Sequence, residues 1–441
     1  MTDPQQASRE ELLEIIQSLL TRIAELEARV AELEEENRRL RLGGHAAPLW
    51  VKPSRPPKEK QARKRRGQAF VRRRETPAEI RHHALENCPD CGRPLSGGWE
   101  QRRRQVIELT LPQVRVVEHV VMARWCGVCG QRCLPQLSQQ ELGAQGQRRF
   151  GVNLQSLVAT LHITGRIPIK LLRRILRELC GVHLSQGEVV ALLDGVAKAG
   201  KAEVTRLHNA VRGAPAVCAD ETGWREDGEN GYLWTFTTPT VRYFLYHKSR
   251  AGAVPREVLG EEFAGVTVSD FYGGYNRLAG THQRCWAHLL RDLKTLAELN
   301  ADRAEVGYWV EEVVALYRAA KAFSHPQARV RQREQRRCQQ AIAALAQPYA
   351  QDTAAPQRVL AQRIIRHAHE LFLFVGDPAV PSDNNLAERS LRPAVIARKI
   401  SGGTRSEKGS KTKMALMSIF GTWSAQGLPL LASCRQLLTG A

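Results

Sequence analysis

The chain has 441 residues, 43% hydrophobic and 25% charged, too long for one ordinary core and apolar enough for two or three folded units. Lys and Arg outnumber Asp and Glu by 65 to 45, a formal charge of +20, so a polyanion such as nucleic acid is the expected partner. No apolar run approaches a membrane span and the polar N-terminus has no signal-peptide core, so a soluble, cytoplasmic protein without a membrane partner is expected, and its ten cysteines are read as thiols rather than as a disulfide framework.

In chain order, residues 1–43 carry a seven-residue repeat. Leu12, Leu19, Leu26, Leu33 and Leu40 fill d positions, and Ile16, Ile23, Val30 and Asn37 fill a. β-branched residues at a with Leu at d favour a two-stranded parallel coiled coil, and one Asn at a fixes its register. The repeat predicts a homodimeric leucine zipper; the alternative is an amphipathic helix packed on its own protein. Residues 44–79 form a Pro-rich basic linker, in which eleven basic residues of 48–75, among them Arg63, Lys64, Arg65 and Arg66, face only Glu59 and Glu75. With little to bury, this segment is expected to lie along phosphates.

Residues 80–140 contain Cys88-Pro-Asp-Cys91-Gly92 and Cys126-Gly-Val-Cys129-Gly130. The glycine after each pair lets the backbone turn so that amides face sulfur, and four thiolates make a closed tetrahedral zinc site. The β-branched stretch Val106–Trp125 between them suits a zinc ribbon, with Cys133 as an alternative to Cys129. Residues 141–212 have helical periodicity, a Cys180-Gly181 break and a capping Ser185. They read either as a helix-turn-helix-like unit with Arg173, Arg174 and Arg177 available to phosphate, or as structural helices leading onward.

From Ala214 the pattern changes to strands. Ala216–Ala219 and Gly265–Ser269 are short apolar runs ending in Asp220 and Asp270, with a hairpin around Pro239-Thr240 between them. Cys285-Trp286-Ala287-His288 opens a helix, and residues of about 299–375 read as a helical insertion. A further helix, capped by Ser382 or Asp383 and ended or kinked by Pro393, carries Asn384, Glu388 and Arg392 on one face. Residues 213–395 thus suit an α/β ribonuclease-H-like core, and 396–441 a basic C-terminal segment with a closing helix. The whole is multidomain, a catalytic core preceded by a coiled coil and a zinc ribbon. Carboxylates from two strands and one helix can hold two divalent metals.

The segments Asp220-Glu221-Thr222-Gly223-Trp224, Ser269-Asp270-Phe271-Tyr272-Gly273-Gly274-Tyr275 and Asp383-Asn384-Asn385, with Glu388, Arg389, Arg392 and Pro393, resemble the DDE blocks of bacterial insertion-sequence transposases. With zipper, paired cysteines and basic tail in this order, the chain resembles the large transposase of the IS-sixty-six family. The resemblance implies a DNA transposase that binds element ends and performs metal-dependent cleavage and strand transfer into target DNA, near the nucleoid and alongside accessory proteins of its element. It also implies that Asp220 is shared by two magnesium or manganese ions, with Asp270 and Glu388 on one ion each. Arg389 and Arg392 are candidates for phosphate, and Asn384 for orienting Glu388. Cys285 and His288 resemble a Cys-x-x-His pair that recurs after the second acid in several DDE transposases. A non-enzymatic zinc and zipper DNA-binding regulator is the alternative.

Overall fold

The computed structural model describes residues 17, 22, 23, 26, 30 and 76–440, apart from 98, 102, 108–113, 139–142 and 144–148. Most zipper positions and the basic linker with Arg63, Lys64, Arg65 and Arg66 lie outside the described residues. Of the repeat, Ile23, Leu26 and Val30 are helical, with side chains about half exposed. Contacts divide the chain into two units, residues 1–108 and 109–441.

In the first unit the chain turns tightly around Cys88. The amide of Gly92 donates to the Cys88 carbonyl at 2.8 Å, Cys88 donates to Arg93 at 2.8 Å, and Gly92 takes φ +70°. The boundary between the units falls inside the expected 80–140 ribbon. Cys88 and Cys91 belong to the first, Cys126 and Cys129 to the second.

The second unit opens with a two-stranded hairpin, β1 (Arg124–Cys126) and β2 (Gln131–Cys133). Four helices follow: α1 (Val152–Ile163), α2 (Ile169–Cys180), α3 (Gln186–Ala199) and α4 (Lys201–Arg212). Gly181, at φ +67°, closes α2 as a left-handed cap, and Ser185 with Glu188 forms a reciprocal capping box on α3. Here α3 buries Val189, Leu192, Leu193 and Val196 and packs on α1 and two C-terminal helices.

The sheet has five strands, β3 (Ala216–Glu226), β4 (Glu229–Thr237), β5 (Arg242–His247), β6 (Val266–Ser269) and β7 (Thr281–Arg284), in the order β5-β4-β3-β6-β7. β3, β4 and β5 are antiparallel, while β6 and β7 join parallel. β3 does not stop at Asp220 as its apolar run suggests. It pairs with β4 as far as Glu226↔Glu229, around Asp227-Gly228 at φ +52° and +85°, the backbone of a two-residue hairpin turn.

β3 separates two environments, because alternate side chains face opposite sides. Val217 and Ala219 join Leu207, Val211, Trp234, Phe236 and helix α5 (Ala253–Leu259) in one core. Cys218 pairs with Val268 and packs with Val380 and Ala387 on the other side.

Helix α6 (Trp286–Leu299) leads into the insertion, formed by α7 (Ala304–Ala322), α8 (Ala328–Ala350), α9 (Arg358–His367) and α10 (Leu373–Gly376). They share a core centred on Trp286, Trp309, Tyr317 and Phe372. Helix α11 (Asn385–Ser401) then returns to β3, followed by α12 (Glu407–Ala425) and α13 (Leu430–Thr439). Pro393 lies inside α11 and does not end it. The lost hydrogen bond of an interior proline costs about 3 kcal/mol, and burial of Leu391 and Ala394 in the core with Trp224 and Leu233 offsets it.

α11 runs across the expected boundary between 395 and 396, and a closing helix follows. Met414, Leu416, Met417, Ile419, Phe420 and Trp423 of α12 are buried, and the helix packs on α1, α3, α4 and β5. Among the described residues no helix is long and apolar enough to cross a membrane.

Candidate active site

β3 and β6 pair through Ala216↔Val266, Val217↔Thr267 and Cys218↔Val268. Continuing that register by two residues brings Asp220 level with Asp270. Both share the side of Cys218 and Val268, which is the side α11 covers through Ala387, the residue before Glu388. The three acids therefore converge from two neighbouring strands and one helix.

Their electrostatics agree. Burial pushes the Asp220 carboxyl up to about 7, and the charges of Glu221, Asp270 and Glu388 push the same way, against one amide bond from Glu221. That amide donates to Asp220 Oδ1 at 2.9 Å, and Tyr272 N donates to Asp270 Oδ1 at 2.9 Å. Glu388 has a buried Oε1 without a hydrogen-bond partner. Hard oxygen donors, crowded negative charge and an unpartnered carboxylate oxygen fit a divalent cation of the magnesium type.

Asn384 ties these elements together. It is 1% exposed. Its Nδ2 donates to the Ala219 carbonyl at 2.8 Å, its amide donates to Cys285 Sγ at 3.1 Å, and its carbonyl accepts from Glu388 N at 3.2 Å. Asp383, a cap candidate, accepts from Asn385 N at 3.1 Å, so it serves the helix start.

Cys285 precedes α6 and is fully buried, and burial raises its thiol pKa although the amides of Asn384, His288 and Ala287 work against the rise. Donor atoms of Cys285, His288 and Glu388 all lie within 4.8 Å of one another. His288 Nδ1, buried and unpartnered, is 3.7 Å from Glu388 Oε1. The sequence suggests the Cys285–His288 pair without its third member; only the return of α11 brings Glu388 to it.

Two supporting groups carry no sequence signal of their own. Arg284, 1% exposed, donates to the Asp270 carbonyl at 2.9 Å and to Asn276 Oδ1 and Glu370 Oε2 at 2.6 Å each. It thereby fastens the second acid's backbone to the insertion. On the opposite side of β3, Glu221 accepts from Tyr275 at 2.5 Å and pairs with Arg250 at 2.6 Å. Arg389 and Arg392 are exposed on α11.

A family model described as "Transposase IS66 family" matches residues 147–412. The chain belongs to that family. The match runs from just before α1 into α12, so the leading helices, the sheet, the insertion and all three acids fall within it. This transposase has no match among curated proteins.

The cysteine pairs lie before the matched region. In each, the amides two and three residues on turn back to the first sulfur. Cys91 and Asp90 hold the Cys88 thiol below its ordinary range, and Cys129 and Val128 do the same for Cys126. Gly92 and Gly130, at φ +70° and +60°, permit both turns.

Proposed function

We propose that this transposase cuts DNA at the ends of its element and joins them to target DNA, using Asp220, Asp270 and Glu388. The observation that carries the proposal is the shared register of Asp220 and Asp270 under the helix that bears Glu388. The sheet order, with a hairpin at one edge and parallel strands at the other, supports the ribonuclease-H-like reading of the core.

Asp220, between the other two acids, would be shared by two magnesium or manganese ions, with Asp270 and Glu388 each serving one. Such ions activate the attacking oxygen, neutralise the phosphate and stabilise the leaving oxygen. The chain's own residues set the geometry. Asn384 fixes the start of α11 against β3, Arg284 anchors the backbone of Asp270, and Arg389 and Arg392 hold phosphate. Water would release a 3′-hydroxyl, which then attacks the target without a covalent enzyme intermediate.

End cleavage and strand transfer on DNA carrying the element's termini, with magnesium and any accessory proteins of the element, test this reading. Joined products are expected with the native chain and not with Asp270→Ala, while both bind DNA. Joining by Asp270→Ala at the native rate would overturn it.

The knuckle geometry of each cysteine pair supports thiolate ligation of structural zinc. Purified protein is expected to carry zinc, and a Cys88→Ser, Cys91→Ser variant to lose it; full retention would refute the assignment. Exposed Ile23, Leu26 and Val30 support the zipper, and hence a dimer that offers two active sites to two element ends.

A further inference from the structure

Helix α2 has two unlike faces. Leu172 and Leu176, both almost fully buried, anchor it to the core with α1 and α3. The other side carries Lys170, Arg173, Arg174 and Arg177, at i, i+3, i+4 and i+7 on one stripe. These four line a cavity of about 540 Å³ together with His183, Leu184 and Ser185. None of them belongs to the acid cluster.

The cations are differently committed. Arg173 is half-buried and donates to the Leu184 carbonyl at 2.6 Å, which braces the loop wall. Arg174 and Arg177 share Glu178, at 2.8 Å and 3.7 Å, with more than half of each side chain exposed. Exposed pairs of this kind hold weakly and yield to a stronger anion. Glu188, the other acid near the cavity, accepts from the Ser185 amide at 2.7 Å, while Ser185 Oγ takes the Glu188 amide. The positive charge of the cavity wall comes from the Lys and Arg side chains of α2.

We propose that this cavity is a second DNA contact, which grips the phosphate backbone of duplex DNA without reading its bases. From Lys170 to Arg177 the helix rises about 10 Å, the axial rise of about three phosphates of one strand. Guanidinium groups suit phosphate oxygens. The site rests on the reading that the protein handles DNA, but it needs no cleavage.

The test is binding of the full chain to labelled duplexes, one with the element's terminus and one unrelated, over a range of salt without divalent metal. Each phosphate contact contributes about 0.9 to the slope of log affinity against log salt. The triple variant Lys170→Gln, Arg174→Gln, Arg177→Gln is expected to lower that slope by about 2–3 on both duplexes. A charge-keeping variant, Lys170→Arg, Arg174→Lys, Arg177→Lys, is expected to retain it. An unchanged slope in the first, or an equal loss in the second, would overturn the proposal. Since no cleavage is measured, failure here is separate from failure of the three-acid site.

Discussion

Asn384 shows how much one side chain can hold. Its amide reaches across 165 residues of sequence to the carbonyl just before Asp220, and its backbone supports Glu388. Truncation would strand a buried carbonyl and open a small void. Asn384→Ala is expected to lose about 1–3 kcal/mol in urea denaturation and to lose joined DNA products while binding persists. Native joining would show that the amide does not position the acids. The sequence pointed to Asn384 as a neighbour of Glu388 on one helix face. Its bond to Ala219 could not be read there, because only the packed fold makes that contact.

At the scale of elements, β5 shows how an edge is closed. Phe244 N donates to Ser418 Oγ and Arg242 N to Thr422 Oγ1, each at 2.9 Å. The two hydroxyls sit one turn apart on α12 and satisfy alternate outward amides of the strand, as a neighbouring strand would. Ser418→Ala with Thr422→Val should cost about 1–3 kcal/mol per hydroxyl, with faster hydrogen exchange at Arg242 and Phe244. Unaltered exchange at those amides would remove this role. Basic residues early in α12 hide that function in the sequence, where charge reads as a nucleic-acid tail. β6 was legible, because an apolar run meets Asp270 with no competing signal. β3 runs past the end of its apolar run because pairing with β4, which apolarity does not report, carries it to the Asp227-Gly228 turn. Pro393 misled for a similar reason: its local effect is real, and the packing that outweighs it is not local.

For the whole molecule, the contact between α1 and α12 closes the second unit across 251 positions. His162 Nδ1 donates to the Ile167 carbonyl at 2.9 Å, and Nε2 faces Lys413 Nζ at 3.4 Å. Burial, followed by the charge of Lys413, lowers His162 to about 4 from its ordinary 6.5. Between those values the unfolded chain binds a proton that the folded one refuses. Stability therefore rises with pH across this window and falls as pH drops from 6.5 toward 4, by about 3 kcal/mol at most. Asp220, held up to about 7, takes up a proton on folding over the same range and works the other way, so the fall should show in the difference between the urea midpoints of the native chain and His162→Gln measured from pH 7 to 4. An identical profile in the variant would assign the acid loss elsewhere. Burial lowers Lys413 to about 8 from 10.5, so it adds a second rise between those values.

The long insertion between the second acid and the third has a consequence in time. A chain emerging from the ribosome presents Asp220 and Asp270 well before Glu388, and β5 remains bare until α12 follows. If the three acids act as proposed, a nascent or prematurely ended polypeptide holds two of them and lacks the helix that carries the third. Competence arrives late, after nearly all of the matched region has been translated.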